Sequence, residues 1–216
     1  MEEIMKIITN MSGKYSATFI FDDFVKMVAI SLSNSTDILH DKVWKKRENQ
    51  YKTIISKYTK EEFDDFVKIL AILVNLFDER IYDYLGYIYM KCEMGNSRTG
   101  QFFTPFNLSE LTAKLSTDNI EKIKQTNDII TLNEPACGGG GLILAYLKIL
   151  KDNNINYQKR VKIVAQDLDF RSVYMTYIQL SLVGARAKIV QGDTLTETNV
   201  KDKERVFYTP IWKGLL

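Results

Sequence analysis

The feature that most constrains this chain is a run of four consecutive glycines at residues 138–141. Glycine has no Cβ, so the backbone of such a run can turn sharply and bring its N–H groups close to a ligand. The segment before the run, 129–132, has the β-branched composition of a strand, and the segment after it, 142–150, has the apolar composition of a helix. A strand that passes through glycines into a helix indicates a ligand-binding turn, and the apolar flanks argue against a flexible linker.

The chain downstream of the glycines alternates between the two kinds of element. The sequence predicts strands at 161–165, 188–190 and 205–208, and a helix at 174–182. Strands that alternate with helices predict an α/β fold with a Rossmann-like, partial doubly wound parallel sheet. Such sheets bind their ligands at the carboxyl ends of the strands.

The first part of the chain has a different pattern. Residues 1–95 contain no proline and their apolar residues recur at helical spacing, which predicts helices at 19–32, 59–77 and 81–92. The helix at 59 begins with a capping box, in which Thr59 and Glu62 each satisfy a backbone N–H. We therefore predict a helical domain over 1–95 and an α/β domain over 96–216.

The ligand of the glycine turn is constrained by its neighbours. The NAD-binding pattern requires a small residue at position 143, but the chain has Ile143 there, so this pattern is not met. The only segment with P-loop spacing continues with Gln101 and Phe102 in place of Lys and Ser or Thr, so the P-loop pattern is not met either. Glu134, just before the turn, would repel a pyrophosphate and attract a cation. S-adenosylmethionine (SAM) carries an ammonium and a sulfonium, and Gly140 is predicted to leave room for it.

Acidic residues follow the second and third predicted strands. Asp167 is predicted to accept hydrogen bonds from the ribose hydroxyls of SAM, as acids at this position do in dinucleotide folds. The alternative for Asp167 is to cap the following helix, although Asp169 is the better candidate for that cap. Asp193 is predicted either to contact the adenine amine or to stabilise a plain turn.

Charge and cysteine content exclude several classes of protein. The formal net charge is +2, so no global basic field attracts nucleic acid, and residues 42–47 form one local basic cluster that either contacts DNA or faces solvent. One histidine and two distant cysteines do not provide a zinc site. The acidic start of the chain and the absence of a long apolar run predict a cytoplasmic protein without a membrane anchor.

Several motifs together resemble one known family. They are Thr-Gly-Gln-Phe-Phe-Thr-Pro at 99–105, Glu-Pro-Ala-Cys-Gly-Gly-Gly-Gly at 134–141, Asp167, and Gly-Asp-Thr-Leu at 192–195. In order and spacing they resemble the adenine-N6 DNA methyltransferases of type I restriction-modification systems. Upstream, residues 83–89 resemble the segment that closes the helical amino-terminal domain of those modification subunits.

The resemblance implies SAM as the cofactor, DNA as a partner, and a set of binding residues. In the family the Phe-Thr-Pro loop lines the methionine end of SAM, and the glycine loop and strand-end residues complete the site. The cofactor-binding residues implied here are Phe103, Thr104, Pro105, Glu134, Pro135, Ala136, Gly138, Gly140, Asp167, Leu168 and Asp193.

The catalytic motif of the family is Asn-Pro-Pro followed by Phe or Tyr, after the fourth strand. This chain has Thr209, Pro210, Ile211 and Trp212 at the corresponding place, so the motif is degenerate. The family's Asn holds the amine hydrogens of adenine, and the Thr209 hydroxyl cannot reproduce that amide geometry. Trp212 either stacks on a flipped-out base or plugs an apolar site.

Three functions remain open from the sequence. The first is a DNA adenine-N6 methyltransferase, the second is an impaired methyltransferase-like protein that binds SAM with a regulatory or partner-binding role, and the third is a methyltransferase for small molecules or proteins. The Phe-Thr-Pro loop argues against the third. Because the sheet is expected to end after its fourth strand, we also expect an edge that pairs with a second copy or another subunit.

Overall fold

The computed structural model describes residues 1–93, 103–117, 120–197 and 199–214. Five helices form the first part of the chain: α1 (Glu2–Met11), α2 (Ala17–Ser35), α3 (Lys42–Ile55), α4 (Lys60–Glu79) and α5 (Tyr84–Glu93). The predicted capping box is present, because Thr59 accepts from the Glu62 N–H and Glu62 accepts from the Thr59 N–H. Neither the short helix α1 nor α3 was predicted. α3 has few apolar residues, whereas α1 has buried Ile4, Ile8 and Met11 at helical spacing, a signal that the sequence does carry.

The second part of the chain alternates helices with strands. Its helices are α6 (Phe106–Ser116), α7 (Ile120–Gln125), α8 (Gly141–Asp152), α9 (Tyr157–Arg160) and α10 (Phe170–Leu182). Its strands are β1 (Ile130–Glu134), β2 (Val161–Asp167), β3 (Arg186–Gln191) and β4 (Val206–Tyr208), in the spatial order β1-β2-β3-β4. The predicted α/β fold class with a partial, mostly parallel sheet is confirmed.

The direction of β4 differs from that of a doubly wound sheet. β1, β2 and β3 are parallel, whereas β4 runs antiparallel to β3, with Lys188 opposite Tyr208 and Val190 opposite Val206. To run parallel to β3, the next strand needs a crossover connection of a dozen or more residues, commonly a helix, that packs back over the sheet. The described residues between β3 and β4 form only turns and a short 3-10 helix, Lys203–Arg205, so they provide no such helix. The end of β4 therefore lies beside the beginning of β3.

The two faces of the sheet have different environments. Val161, Ile163 and Ala165 of β2, and Ala187 and Ile189 of β3, point to one face and are buried. The alternate residues Lys162 and Arg186 point to the other face and are exposed. Within the described part of the chain, one face is packed on the protein interior and the other is left largely to solvent.

One hydrophobic core joins the two parts of the chain. Buried side chains of α2, α5 and α10 belong to the same cluster, and the Leu85 N–H of α5 donates to the Gln179 side chain of α10 over 3.0 Å. The predicted boundary between residues 95 and 96 lies outside the described residues. In the described ranges, no helix has the length and apolarity needed to cross a bilayer.

Candidate functional site

The loops that follow β1, β2 and β3 lie side by side at the carboxyl ends of the strands. The Cys137 N–H donates to the Gln166 carbonyl over 2.9 Å, and the Gly192 N–H donates to the Asp167 carbonyl over 2.9 Å. The Thr194 hydroxyl donates to the Pro135 carbonyl over 2.6 Å. The three segments that the sequence singled out are therefore brought together.

The glycine loop, residues 138–141, is fixed by side chains of α10. The Thr176 hydroxyl donates to the Gly138 carbonyl over 2.8 Å, and the Gln179 amide donates to the Gly139 carbonyl over 2.6 Å. In a trans peptide the next N–H points opposite to the carbonyl, so the Gly139 N–H points away from α10. Among the described residues no hydrogen bond from this N–H is found, and it points to the side of the loop where a ligand could accept it.

Gly140 has a structural reason to be glycine. Its φ is +89°, and a Cβ there would lie 3.1 Å from the Thr176 hydroxyl on α10, so a larger residue would strain the turn and crowd the helix. That Gly140 also leaves room for the ligand stays a prediction. At Gly138, by contrast, a Cβ would lie 3.0 Å from the Phe103 ring.

A cleft of about 210 Å³ lies beside the glycine loop. Its walls include Phe103 and Thr104 from the predicted Phe-Thr-Pro loop, as well as Ala136 and Gly138, while Pro105 forms the N-cap of α6. The Phe103 ring also packs edge-on against Tyr89, with centroids 5.1 Å apart. The remaining residues of that motif, 99–102, lie outside the described residues.

Ser109 of α6 also lines the cleft, and sequence reasoning did not identify it. Its side chain is fully buried, and within the part of the chain that the structure describes its hydroxyl has no hydrogen-bond partner. An unpaired buried hydroxyl costs free energy unless something else bonds to it. A polar ligand in the cleft would satisfy it.

Asp167 lies between the glycine loop and the end of β2. Its Oδ2 accepts from the Gly138 N–H over 2.9 Å, and its Oδ1 accepts from the Asp169 N–H over 2.9 Å. Each carboxylate oxygen keeps a further acceptor position. Asp169, as predicted, caps the following helix, because its side chain accepts from the Arg171 N–H over 3.0 Å.

Asp83 lines the cleft, and Glu134 accepts a hydrogen bond from the cleft residue Ala136. Partial burial raises the pKa of Glu134. The hydrogen bond that its carboxylate accepts from the Ala136 N–H lowers this pKa, and the nearby Asp167 charge raises it further. Asp83 at the start of α5 is fully buried, and burial raises its pKa against the hydrogen bonds from Gln179 and Gly86. The sequence included Asp83 in a motif of the helical part, but only the packing of α5 on the glycine loop brings its carboxylate into the wall of the cleft.

The third loop presents Asp193 beside the first. The Asp193 side chain accepts from the Leu195 N–H over 2.9 Å, which is the turn geometry that the sequence left as an alternative. Leu168, directly after β2, and Leu195, in the third loop, are 69% and 92% exposed. Exposed leucines at this edge offer an apolar surface to a planar ligand.

Cysteine and metal chemistry are not indicated by the described residues. Cys137 precedes the glycine loop, but burial raises the pKa of its thiol to about 12, so it is a poor nucleophile at neutral pH. Both cysteines are free and buried. The described ranges contain no group of three or more His, Cys, Asp or Glu side chains placed to hold a metal ion.

The predicted catalytic residues lie at the other end of the sheet. The Thr209 hydroxyl donates to the Ala185 carbonyl over 2.7 Å and accepts from the Ala187 N–H over 3.0 Å, at the beginning of β3. Thr209 is fully buried, and Pro210 begins the 3-10 helix Pro210–Lys213, which contains Trp212. The structure therefore does not bring Thr209, Pro210 and Trp212 to the cleft, because β4 runs antiparallel to the strands that end there.

The basic cluster 42–47 also has structural contacts. The Arg47 guanidinium donates to the carbonyls of Lys203, Glu204 and Val206, and Lys46 pairs with Glu204. These two cations attach α3 to β4 and the segment before it. Lys42 and Lys45 are exposed.

The range matched by a known family model contains these motifs. The family model described as N-6 DNA Methylase matches residues 76–209 of the 216 in the chain. One similar solved structure, from Listeria monocytogenes, is of a protein proposed to be a class I SAM-dependent methyltransferase; the identity is 13% and the TM-score 0.47, over 93% of this chain and 55% of that one. Another is the type I restriction-modification system methyltransferase subunit from Streptococcus thermophilus, with 16% identity and a TM-score of 0.46 over 81% of this chain and 36% of that one.

Proposed function

Because the chain belongs to the N-6 DNA methylase family, we propose that the cleft binds SAM and that the protein is an adenine-N6 DNA methyltransferase-like, SAM-binding protein. The observation that carries the proposal is one cleft at the ends of β1 and β2 that has Asp83 and Asp167 in its wall and a buried Ser109 hydroxyl without a partner among the described residues. The loop after β3 lies beside it through the Thr194 hydrogen bond to Pro135. When bound, SAM supplies an activated methyl group.

The methionine end of SAM fits beside the glycine loop. Asp83 in the cleft wall and Glu134, which accepts from the neighbouring Ala136 N–H, supply negative charge toward its ammonium and sulfonium. The Ser109 hydroxyl, which has no partner among the described residues, supplies a hydrogen bond. A bound cation would also favour the ionised forms of both acids, against the burial that raises their pKa. Phe103 and Thr104 form the opposite wall, and Pro105 fixes the start of α6 next to them.

The nucleoside end fits across the second and third loops. Asp167 accepts hydrogen bonds from the ribose hydroxyls through the acceptor positions that its backbone contacts leave open. Leu168 covers one side of the adenine, and Asp193 accepts from the adenine amine. The Pro135 carbonyl accepts from the Thr194 hydroxyl and so holds the first loop beside the third, while Ala136 lines the cleft.

The position of Thr209 favours the second function considered above, a SAM-binding protein whose methyl transfer is impaired. In the described ranges, no residue of 209–212 reaches the cleft, so these residues do not hold an adenine amine beside the methyl group. Methyl transfer would then depend on groups supplied from outside these residues. We propose DNA and a second subunit or a second copy as partners, supported by the edge of β1, which within the described residues pairs with β2 alone.

Two measurements on the full chain test the proposal. Calorimetry with SAM should show binding at one site, with S-adenosylhomocysteine, which lacks the sulfonium charge, bound more weakly, and ATP and NAD not bound. Tritium transfer from labelled SAM to unmethylated mixed-sequence DNA should be very slow or undetectable for the chain alone. No binding of SAM would overturn the cofactor assignment, and rapid transfer would overturn the assignment of impaired catalysis.

A further inference from the structure

The solvent-facing side of the sheet carries an unusual set of side chains. Neighbouring strands place three rows of residues on it: Thr131, Lys162 and Arg186; Asn133, Val164, Lys188 and Tyr208; and Gln166, Val190 and Val206. Val190 and Val206 of the third row are buried, so the open part of this side is the first two rows. None of these residues is acidic and three are cations. Parallel strands are normally covered by apolar helices on both faces, and their sequences are then apolar throughout. Lys162, Arg186 and Lys188 break that pattern, so this face is built for a charged environment.

Two aromatic rings lie among these cations. The Trp212 ring has the Lys162 Nζ at 4.9 Å and the Arg186 guanidinium carbon at 5.8 Å from its centroid. The Tyr208 and Trp212 ring centroids are 5.7 Å apart. Both residues are partly exposed. The 3-10 helix Pro210–Lys213 thus places an aromatic surface over the first row.

A groove of about 700 Å³ continues from the second row toward the helical part of the chain. Its cations are Arg47, Lys188, Lys201, Lys203 and Lys213, and its acids are Asp37 and Asp41. Asp41 is already engaged, because its side chain caps α3 through the Val43 and Trp44 N–H groups and lies 3.8 Å from Lys203. The groove therefore keeps an excess of positive charge.

Two of the groove cations have neutral partners in the described structure. Lys213 donates to the Thr36 carbonyl and hydroxyl, and Arg47 donates to backbone carbonyls and to the Ser33 hydroxyl. Burial lowers the pKa of both groups, and the Arg47 charge lowers that of Lys213 further, against the opposing effect of Asp37. An anion in the groove would relieve this repulsion.

We propose that the open sheet face and its groove, together defined by Lys162, Arg186, Lys188, Lys213, Tyr208 and Trp212, bind single-stranded nucleic acid. Cations that follow a phosphate backbone, with aromatic rings between them on which bases stack, are the features of sequence-tolerant single-strand binding surfaces. The cleft beside the glycine loop belongs to the carboxyl ends of the strands, so this surface is separate from the SAM site. It does not depend on SAM binding or on methyl transfer.

The test is binding of a fluorescein-labelled thymidine 12-mer to the full chain, followed by fluorescence anisotropy at several salt concentrations. Affinity should fall with salt, with a slope of log K against log salt of about −0.7 for each phosphate contacted, or roughly −2 for three contacts. The Lys162→Gln, Arg186→Gln, Lys188→Gln triple variant should bind at least about tenfold more weakly and with a shallower slope. An unchanged affinity or slope in this variant overturns the proposal.

A matched triple variant controls for net charge. Lys6→Gln, Lys60→Gln and Lys114→Gln remove the same charge from exposed positions on three helices, and this variant should lose less than about threefold, through the long-range field alone. An equal loss in the two triple variants would mean that the binding is non-specific and would overturn the proposal. Circular dichroism verifies that both variants are folded.

Stacking is tested separately with the two tryptophans of the chain. In a Trp44→Phe background Trp212 is the sole tryptophan, and the 12-mer should quench its fluorescence. Trp212→Leu, which keeps an apolar side chain, should weaken binding by about five- to tenfold.

Two outcomes would overturn the single-strand assignment. One is binding of a 12-base-pair duplex as tight as that of the single strand, and the other is no quenching of the Trp212 fluorescence by the 12-mer. Asp167→Ala, in the other site, should leave the 12-mer affinity unchanged.

Discussion

At the carboxyl ends of β1 and β2 the glycine loop and Asp167 border a cleft, whereas at the beginning of β3 the buried Thr209, which follows β4, packs against the strand. The first site holds the unpaired Ser109 hydroxyl, and the second holds the Thr209 hydroxyl with donor and acceptor partners satisfied. A polar group with no partner among the described residues points to a ligand, while a satisfied one points to a structural role. The same chemical group, a buried hydroxyl, thus has different meanings on α6 beside the cleft and directly after β4.

The largest effect is expected for Thr209→Val. This change removes the hydroxyl that bonds Ala185 and Ala187 and leaves a buried carbonyl and a buried N–H unpaired, so unfolding free energy should fall by about 3 kcal/mol. SAM affinity should be unchanged, because Thr209 lies away from the cleft. Urea denaturation and calorimetry measure the two effects.

The control for Thr209 is Ser, which keeps the hydroxyl and should cost less than about 1 kcal/mol. If Thr209→Val were as stable as the original chain, the assignment of Thr209 to the fold would be wrong. A loss of SAM binding without a loss of stability in either variant would show that Thr209 contributes to the SAM cleft.

Asp167→Ala should act mainly on the cleft. It removes charge-assisted hydrogen bonds to the ribose, so SAM affinity should fall by more than tenfold, or about 1.5–3 kcal/mol. Asp169→Ala is the matched control two residues away: it removes the N-cap of α10 and should cost about 1 kcal/mol of stability with little effect on SAM. Equal SAM affinities for the Asp167→Ala and Asp169→Ala variants would show that Asp167 does not bind SAM.

A smaller difference is expected between two glycines, one at each end of the sheet. Gly140 and Gly214 have φ values of +89° and +73°, but only Gly140 has a neighbour in the way of a Cβ. Gly214→Ala should cost about 1 kcal/mol from backbone strain, and Gly140→Ala about 2 kcal/mol because Thr176 must also move. Thermal or urea unfolding would compare them, and equal costs would show that α10 adapts freely.

The smallest effect concerns the pH dependence of stability. Burial raises the pKa of Asp83 in the folded protein above its ordinary value of 3.8, so the folded state holds the proton more tightly than the unfolded chain. The contribution of Asp83 to the free energy of unfolding is therefore at its maximum below about pH 4, and it is lost as the pH rises through the folded-state pKa.

Asp83→Asn should flatten that dependence, because the amide cannot ionise while its oxygen still accepts from Gly86 and Gln179. Urea denaturation between pH 4 and 8 tests this, with Glu134 contributing a remaining slope of the same sign. The same slope in both proteins would mean that Asp83 is ionised in the folded protein without a free-energy cost.

The sequence by itself determined the class of fold and the position of the cleft. The glycine turn, the strand-helix alternation and Asp167 are local patterns, and local patterns fix which strand end carries which loop. The same reasoning located the cap at Asp169 and the capping box at Thr59, because caps depend on residues within one helical turn.

Only the tertiary structure decided where β4 lies and what surrounds the cleft. The direction of β4 depends on packing against β3 and on the Arg47 contacts, which join residues about 160 positions apart in the sequence, and it moves Thr209 to the opposite end of the sheet. Asp83 and Ser109 reach the cleft from two helices that no local pattern connects to the glycine loop. Contacts between segments that are distant in sequence arise from the folded core, so spacing along the chain could not predict them.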